Sequence, residues 1–422
     1  MSLNKMASIF MLMLVSSFSY AQEMLLHQAT KQVRSSRLGS STEYTVYKSI
    51  PDGDSQCELH MKVYISQGKT HHPLMALHGG GWYSGWYADG TDHLVSYEYL
   101  KRFLKVGDGT NTSYLIAVPE YRLVPNEEQP ATQSNVPIPC KNASWEEVTK
   151  DVGDALETVY QFTAYNPNKE KIALFGFSAG AHLATWLAFK KPDKVSGVVI
   201  LGAPVNFVDT NAYYTASSKI KSCSSEGESY NPFEDLLDRF ISLNNTNAIS
   251  QNSFPARAIS TAGLPPFFAV HGMRDTVVPF QQSLAFCLAL SGDSDWKTHV
   301  DNLFPDKTEL TSEDLTQLVT QQYPEDLTPA EQAARTTQQT ALNDIAKSLN
   351  IKCTPTRCMG GCGGNGGKYH LLLYGNHNDT EFECPPEDNE CCTQESCKSR
   401  NKSFDELRMW LDNLYLMNAG AN

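Results

Sequence analysis

The chain is short of positive charge: 34 Lys and Arg stand against 47 Asp and Glu, for a net charge of -13. Nucleic acid and anionic membrane surfaces are bound through a basic face, so both are excluded as partners. Long apolar runs are missing as well. The stretch from Ile9 to Val15 is too short to span a bilayer, and no later segment approaches eighteen apolar residues, so no stable membrane span is expected. No internal repeat is present. Paired C-x-x-C knuckles of the kind that hold zinc are absent, and no Gly-Lys-Ser/Thr follows a glycine-rich loop. The run GGCGGNGG, from Gly360 to Gly367, precedes an apolar strand instead of following one, which is the wrong order for a dinucleotide fingerprint. Neither a metal nor a cofactor is expected.

What remains is ordinary for a soluble protein: 422 residues, 41% hydrophobic and 19% charged, enough for one large catalytic domain with insertions. The first 21 residues combine Lys5, the apolar core Ile9 to Val15 and small residues at Ser19 and Ala21. That pattern predicts a signal peptide cleaved before Gln22 and a secreted or periplasmic protein. All 11 cysteines follow that segment, and in an exported chain they read as disulfides, with one thiol left over. Seven of them fall between Cys353 and Cys397, so the late region is expected to be stapled locally.

Strands are expected at Leu59 to Ile65, Pro73 to Leu77 and Tyr114 to Val118, from alternation or short buried apolar runs. From Trp145 a helix follows, because Val148, Val152, Ala155, Leu156 and Val159 recur at threes and fours. Strand and helix then alternate: Ile172 to Phe177, a helix from Ala179, Val195 to Ile200, Pro266 to Val270, and a helix over Phe280 to Leu290. That order implies a mostly parallel sheet covered by helices on both faces. Residues 206–264 interrupt the alternation where a cap would fit. Residues 291–368 form a polar, Cys-rich insertion whose first part, Ser291 to Lys352, is expected to be a solvated decoration. Tyr369 to Tyr374 is the last strand and Phe404 to Met417 the closing helix.

The chemistry gathers around Gly176-Phe177-Ser178-Ala179-Gly180. A serine in a sharp strand-to-helix turn takes strained backbone angles, and the glycines leave room for the crowding. A serine hydroxyl is a poor nucleophile until a histidine takes its proton and a carboxylate orients that histidine. In a doubly wound sheet such groups follow the carboxyl ends of strands, in the chain order Ser, Asp, His. Asp275 follows the strand ending at Val270 in a loop closed by Pro279; Asp209 is its rival. His377 follows the last strand through Gly375-Asn376, whereas His370 sits at the wrong end of it, and His182 and His271 read as structural. Gly80 and Gly81, after an early strand, and Ala179, at the start of a helix, can supply N–H donors to an oxyanion. His78 reads as a brace for the glycine loop. Trp82, Tyr83 and Trp86 are expected to wall the substrate.

In order and spacing, His78-Gly-Gly-Gly-Trp82, Tyr121-Arg-Leu-Val-Pro125, the helix around Asp151-Val152, Gly176-Phe-Ser-Ala-Gly180 and the Asp275 loop resemble the α/β-hydrolase superfamily, specifically its hormone-sensitive-lipase-like carboxylesterases. These pieces span about residues 60 to 280; the last strand, His377 and the closing helix complete the pattern. The resemblance implies an α/β-hydrolase fold, a Ser178–His377–Asp275 triad and an oxyanion hole from Gly80, Gly81 and Ala179. It also implies a small-molecule ester substrate, hydrolysis through an acyl-enzyme, and no cofactor. The chain departs from the family in two places. About a hundred residues separate Asp275 from His377, where the family has far fewer, and Cys384 to Cys397 precede the closing helix. Two other functions stay open: a serine peptidase of the prolyl-oligopeptidase type, and a non-catalytic binding protein on a hydrolase scaffold. The glycine loop and the missing propeller-like repeat weigh against the first, and the presence of all three triad candidates against the second. Acyl and alcohol preference and oligomeric state are open too.

Overall fold

The computed structural model describes residues 31–33, 41–52, 55–65, 71–85, 113–125, 136–161, 166, 168–207, 252–273, 275, 277–303, 328–353, 357–363, 366–372 and 394–419. The chain opens with β1 (Lys31–Val33), β2 (Ser41–Asp52), β3 (Ser55–Ile65), β4 (His71–Leu77) and β5 (Ser113–Pro119). Alternation follows: α1 (Trp145–Gln161), β6 (Ile172–Phe177), α2 (Ala179–Lys190), β7 (Val195–Leu201), α3 (Pro255–Ser260), β8 (Phe267–Gly272) and α4 (Gln281–Leu290). The late region adds α5 (Trp296–Asp301), α6 (Pro329–Leu349), β9 (Lys352–Cys353), β10 (Arg357–Gly361), β11 (Lys368–Leu372) and α7 (Gln394–Ala419).

All described strands join one sheet in the order β1-β2-β3-β5-β4-β6-β7-β8-β11-β10-β9. Its centre, β5 to β11, is parallel, and both flanks are antiparallel. This is the α/β-hydrolase fold that the resemblance implies. The parallel strands are short apolar runs because both of their faces are covered. Along β4, Met75 and Leu77 face one layer with α1, α2 and α4, while Leu74 and Ala76 face the other layer with α7.

Local signals explain the helices. The start of α1 has a capping box: Ser144 Oγ accepts from the Glu147 N–H at 3.3 Å, and Glu147 Oε2 accepts from the Ser144 N–H at 2.8 Å. Its buried stripe then lies against the sheet. On the opposite face α7 lays down Leu407, Trp410, Leu411, Leu414 and Tyr415, all buried. Each such side chain contributes about 1.5–3 kcal/mol. Polar pins fix its register, with Tyr415 donating to Pro73 O at 2.5 Å and Tyr114 donating to Asp412.

The late insertion corrects one expectation. Residues 291–352 are not wholly a solvated decoration: α6 starts on a Thr328–Glu331 capping box and buries Ala341, Ile345 and Leu349, one turn apart each. The following hairpin, β9 and β10, extends the main sheet beside β11. Disulfides Cys57–Cys140 and Cys287–Cys362 tie the first flank to the 3₁₀ turn Ile138–Cys140 before α1 and the helix α4 to the end of β10. Cys358 is disulfide-bonded as well. Among the described residues, no helix is long and apolar enough to cross a membrane. The predicted signal segment and most of the cap, 208–251, lie outside the described residues; the cap's far end is helical, and Phe254 there is fully buried.

Candidate active site

Ser178 sits between β6 and α2 with φ 50° and ψ -121°, in the strained left-handed half of backbone space that a sharp elbow demands. Its N–H is held by Leu201 O, at the end of β7, at 2.8 Å. The elbow is made possible by close approach. A Cβ on Gly180 would lie 2.1 Å from Leu77 O and 2.5 Å from His78 O, so only a glycine lets α2 press against the end of β4. That contact carries the loop after β4 to the serine: a Cβ on Gly79 would meet the Ser178 Cβ at 3.2 Å.

Gly80 and Gly81 adopt φ of 99° and 58°, which turns the loop back on itself, and Gly80 O accepts from the N–H groups of Tyr83 and Ser84. Among the described residues, no hydrogen bond uses the N–H of Gly80, Gly81 or Ala179. The first turn of α2 holds no acidic side chain, so the positive end of its dipole at Ser178 is not neutralised. An anion beside the serine would meet donors and dipole together.

A second layer braces this loop. The His78 ring stacks on Tyr121 at 4.2 Å, and its Nδ1 lies 2.8 Å from Gly79 O. Tyr121 donates to His78 O at 3.0 Å, and the Val124 N–H donates to Trp82 O at 3.1 Å. Beside Tyr121, the Arg122 guanidinium grips buried Asp151 of α1 through Nε at 2.8 Å and Nη2 at 3.0 Å, and Glu147 through Nη1 at 2.7 Å. The Ser144 N–H, with a smaller contribution from the Arg122 guanidinium, holds the Glu147 carboxyl below its usual range.

Trp82 corrects an expectation. It is fully buried, with its ring against Trp145, His182 and Phe207, so it props the loop from beneath instead of walling a substrate. Tyr83 is only half-buried, and its ring crosses directly over Gly81. Trp86 lies outside the described residues, as do His377 and Asp209.

Asp275 lies on the same edge of the sheet. The ends of β6, β7, β8 and β11 are in register through the pairs Phe177–Leu201, Leu201–Val270 and Gly272–Leu372. Asp275 follows β8 and is fully buried; its Oδ1 accepts from the N–H groups of Val277 at 2.9 Å and Val278 at 2.7 Å. Next to it, the Met273 N–H donates to Leu372 O at 2.8 Å, so the chain that continues toward residue 377 leaves β11 beside the Asp275 loop.

Three other described histidines, His182, His370 and His271, have partners of their own. His182 is enclosed by Trp82, Trp145, Phe207 and Phe254, and burial pushes its pKa down to about 3. Its Nε2 meets Asn252 O at 3.1 Å. His370 points to the α7 face, with Nδ1 3.1 Å from Ser403 Oγ and Nε2 3.4 Å from Glu406. Ser403–His370–Glu406 mimics a triad, but Ser403 is fully buried and its Oγ already accepts from Arg357 at 3.1 Å, so no substrate reaches it. His271 is fully buried at the end of β8. It touches the Asp275 carboxylate, and the i, i+4 spacing from β8 into the loop was the available signal. Among the described residues, no group of three or more His, Cys, Asp or Glu side chains could hold a metal ion.

Comparison with known proteins adds a family match. Residues 139–290 match the BD-FAE family model, a span from the 3₁₀ turn before α1 to the end of α4 that includes Ser178 and Asp275. No curated protein matches the chain. Among solved structures, the chain is similar to a thermostable esterase from Pseudomonas putida ECU1011, at 14% identity over 65% of this chain and 75% of that one, with a TM-score of 0.42. It is also similar to a hyperthermophilic esterase from the archaeon Pyrobaculum calidifontis, at 17% identity over 79% and 89%, TM-score 0.41. A third is esterase B from Lactobacillus rhamnosis HN001, at 15% identity over 82% and 99%, TM-score 0.41.

Proposed function

We propose that this chain, an α/β-hydrolase fold whose residues 139–290 match the BD-FAE family, is an exported serine carboxylesterase. Ser178 Oγ attacks the ester carbonyl while His377 takes its proton. The tetrahedral oxyanion is met by the N–H groups of Gly80, Gly81 and Ala179. Collapse expels the alcohol, which leaves with the proton from His377, and an acyl-Ser178 remains. Water, deprotonated by the same imidazole, then releases the carboxylic acid and restores the serine. Asp275 holds the imidazole in the needed tautomer and stabilises its charged form. Tyr83 and Trp86 flank the acyl or alcohol group.

The observation that carries this reading is the strained Ser178, pressed by its elbow against a loop of N–H groups that no described partner uses. For His377, chain reach is sufficient. β11 lies three strands from β6, about 14 Å at the usual strand spacing. The five residues from Leu372 to His377 can extend about 17 Å. Disulfides at Cys57–Cys140 and Cys287–Cys362 favour an oxidising compartment. The test is hydrolysis of p-nitrophenyl acetate, butyrate and longer esters, with fluorophosphonate labelling of the serine. Ser178→Ala and His377→Gln should each abolish turnover, and Ser178→Ala should abolish labelling. Turnover that survives Ser178→Ala rules the mechanism out.

A further inference from the structure

Asp275 is held from two sides, and only one side belongs to the triad. His271, in β8, is fully buried, as is Asp275. Its Nε2 lies 3.2 Å from Asp275 Oδ2 and 2.8 Å from Val278 O. Both neighbours are acceptors, so this nitrogen carries the proton; it donates to Val278 O and presents its N–H edge to Oδ2 alongside. The opposite nitrogen, Nδ1, is fixed at 2.7 Å from Ser283 Oγ on α4. The imidazole therefore cannot turn away without breaking bonds at both ends. Oδ1 of Asp275 is taken by two backbone N–H groups. Oδ2 is the oxygen that faces His271.

We propose that His271 is a positioning residue for the ester hydrolysis described above: a second imidazole that locks the Asp275 carboxylate and draws off part of its charge. This rests on the triad reading. Two consequences separate it from mere packing. First, the lock acts on the carboxylate that orients the base, so its loss falls on kcat and spares KM. Second, the partial positive charge of an N–H edge 3.2 Å from Oδ2 makes that oxygen a weaker acceptor toward the catalytic imidazole. Without it, Asp275 stabilises the imidazolium more strongly, the base stays protonated to higher pH, and the acid limb of kcat/KM moves upward. Of the described groups packed against the pair, Ser283 on α4 does not titrate in this range. Tyr369, on β11 beside Ser283, has its phenol pushed up by burial and stays neutral.

The experiment compares wild type, His271→Leu, His271→Gln and Asp275→Asn on p-nitrophenyl butyrate. Active sites are counted by fluorophosphonate, and the thermal midpoint is recorded for each variant. His271→Leu removes the donor, and kcat should fall about two- to tenfold, the rate equivalent of the one hydrogen bond that clasps Val278 O in the Asp275 loop. Its acid limb should rise. His271→Gln keeps an N–H at similar reach and should recover most of kcat and the original limb. That holds even if both variants lose the Ser283 bond and melt at the same lower temperature. Asp275→Asn removes the charge itself and should move the limb the other way. The inference is overturned if Asp275→Asn cripples turnover while His271→Leu matches wild type. It is equally overturned if Leu and Gln variants lose rate alike with the limb unmoved. A wild-type chain that neither labels nor hydrolyses overturns the esterase reading and this inference together.

Discussion

Gly180→Ala is the sharpest single probe of how the elbow works. The added Cβ would sit 2.1 Å from Leu77 O and 2.5 Å from His78 O, where real Cβ contacts essentially never fall below 3.0 Å. Neither oxygen belongs to a side chain that can swing aside; both are backbone, at the end of the strand that carries the glycine loop. Helix α2 and that loop must therefore separate by about 0.9 Å. Overpacking of this kind costs about 1–3 kcal/mol. For a chain of this size that is a fall of roughly 1–4 °C in thermal midpoint. The rate should suffer more than the fold. Ala179 moves with α2 while Gly80 and Gly81 stay with β4, so the proposed donors no longer converge on one oxyanion. A misplacement near 1 Å costs about a hundredfold. Steady-state kcat and KM on p-nitrophenyl butyrate, read beside scanning fluorimetry, test both numbers. Gly153→Ala is the contrast: it lies inside α1, and its Cβ meets nothing within 4 Å. That change should stabilise by about 0.5–1 kcal/mol. A Gly180→Ala enzyme with wild-type kcat and midpoint would falsify the close-approach argument.

Three further outcomes follow from the packing. Replacing either Cys57 or Cys287 by serine opens a loop of 83 or 75 residues, and the chain-entropy cost is about 4.5 kcal/mol each, to be read as the gap between oxidised wild type and variant in guanidinium unfolding. Asp151→Asn leaves Arg122 and Lys48 facing a neutral amide in a buried site. It should destabilise by about 3–5 kcal/mol, and a loss below 1 kcal/mol would contradict the brace. His182 and His370 are each pushed by burial from 6.5 to about 3, so the unfolded chain binds more protons than the folded one between those values. Their contribution is complete above pH 6.5 and is lost as pH falls toward 3. His182→Phe should reduce the slope of unfolding free energy against pH by about one proton, or about 1.4 kcal/mol per pH unit, and an unchanged slope sinks the assignment.

The parts of this molecule that were legible in the sequence are those where one local pattern has a single physical solution. A short apolar run, Gly-x-Ser-x-Gly and an Ala/Leu-rich stretch have to become β6, a strained turn and α2. The i, i+3, i+4 stripe of α1 has nowhere to go but the sheet. Trp82 was misplaced because an aromatic next to a glycine loop can turn toward the cavity or under the loop, and composition does not choose. Its φ of 65° and the waiting pocket of Trp145, His182 and Phe207 do. The β9–β10 hairpin was hidden for a different reason. Lys352–Cys353 and Arg357–Gly361 are too short and too rich in Cys and Gly to show alternation, and only the pairing of β10 with β11, and of β9 with β10, makes them strands. The Ala341, Ile345 and Leu349 stripe of α6 was readable, but it is thin against a polar background.

The hundred-residue gap between Asp275 and His377 looks like an obstacle only if the chain is measured along its length. Closing a longer loop is cheap, about 0.6 kcal/mol for each doubling. What the site needs is that the chain return to the same edge of the sheet in a defined register, and that is decided locally. β11 pairs in parallel with β8 from Lys368–Phe268 to Leu372–Gly272, and the Met273 N–H clasps Leu372 O one residue further on. Everything between can grow provided it is anchored near its ends. It is: Cys287–Cys362 ties the end of β10 to α4, the helix that leaves the Asp275 loop. Trp410 Nε1 on α7 donates to Gly366 O at 2.9 Å, and α7 closes over β11. The insertion is thereby held at the sheet as an extra hairpin and helix. Strand order and register, not the number of residues crossed, set where the chain leaves β11 beside the Asp275 loop.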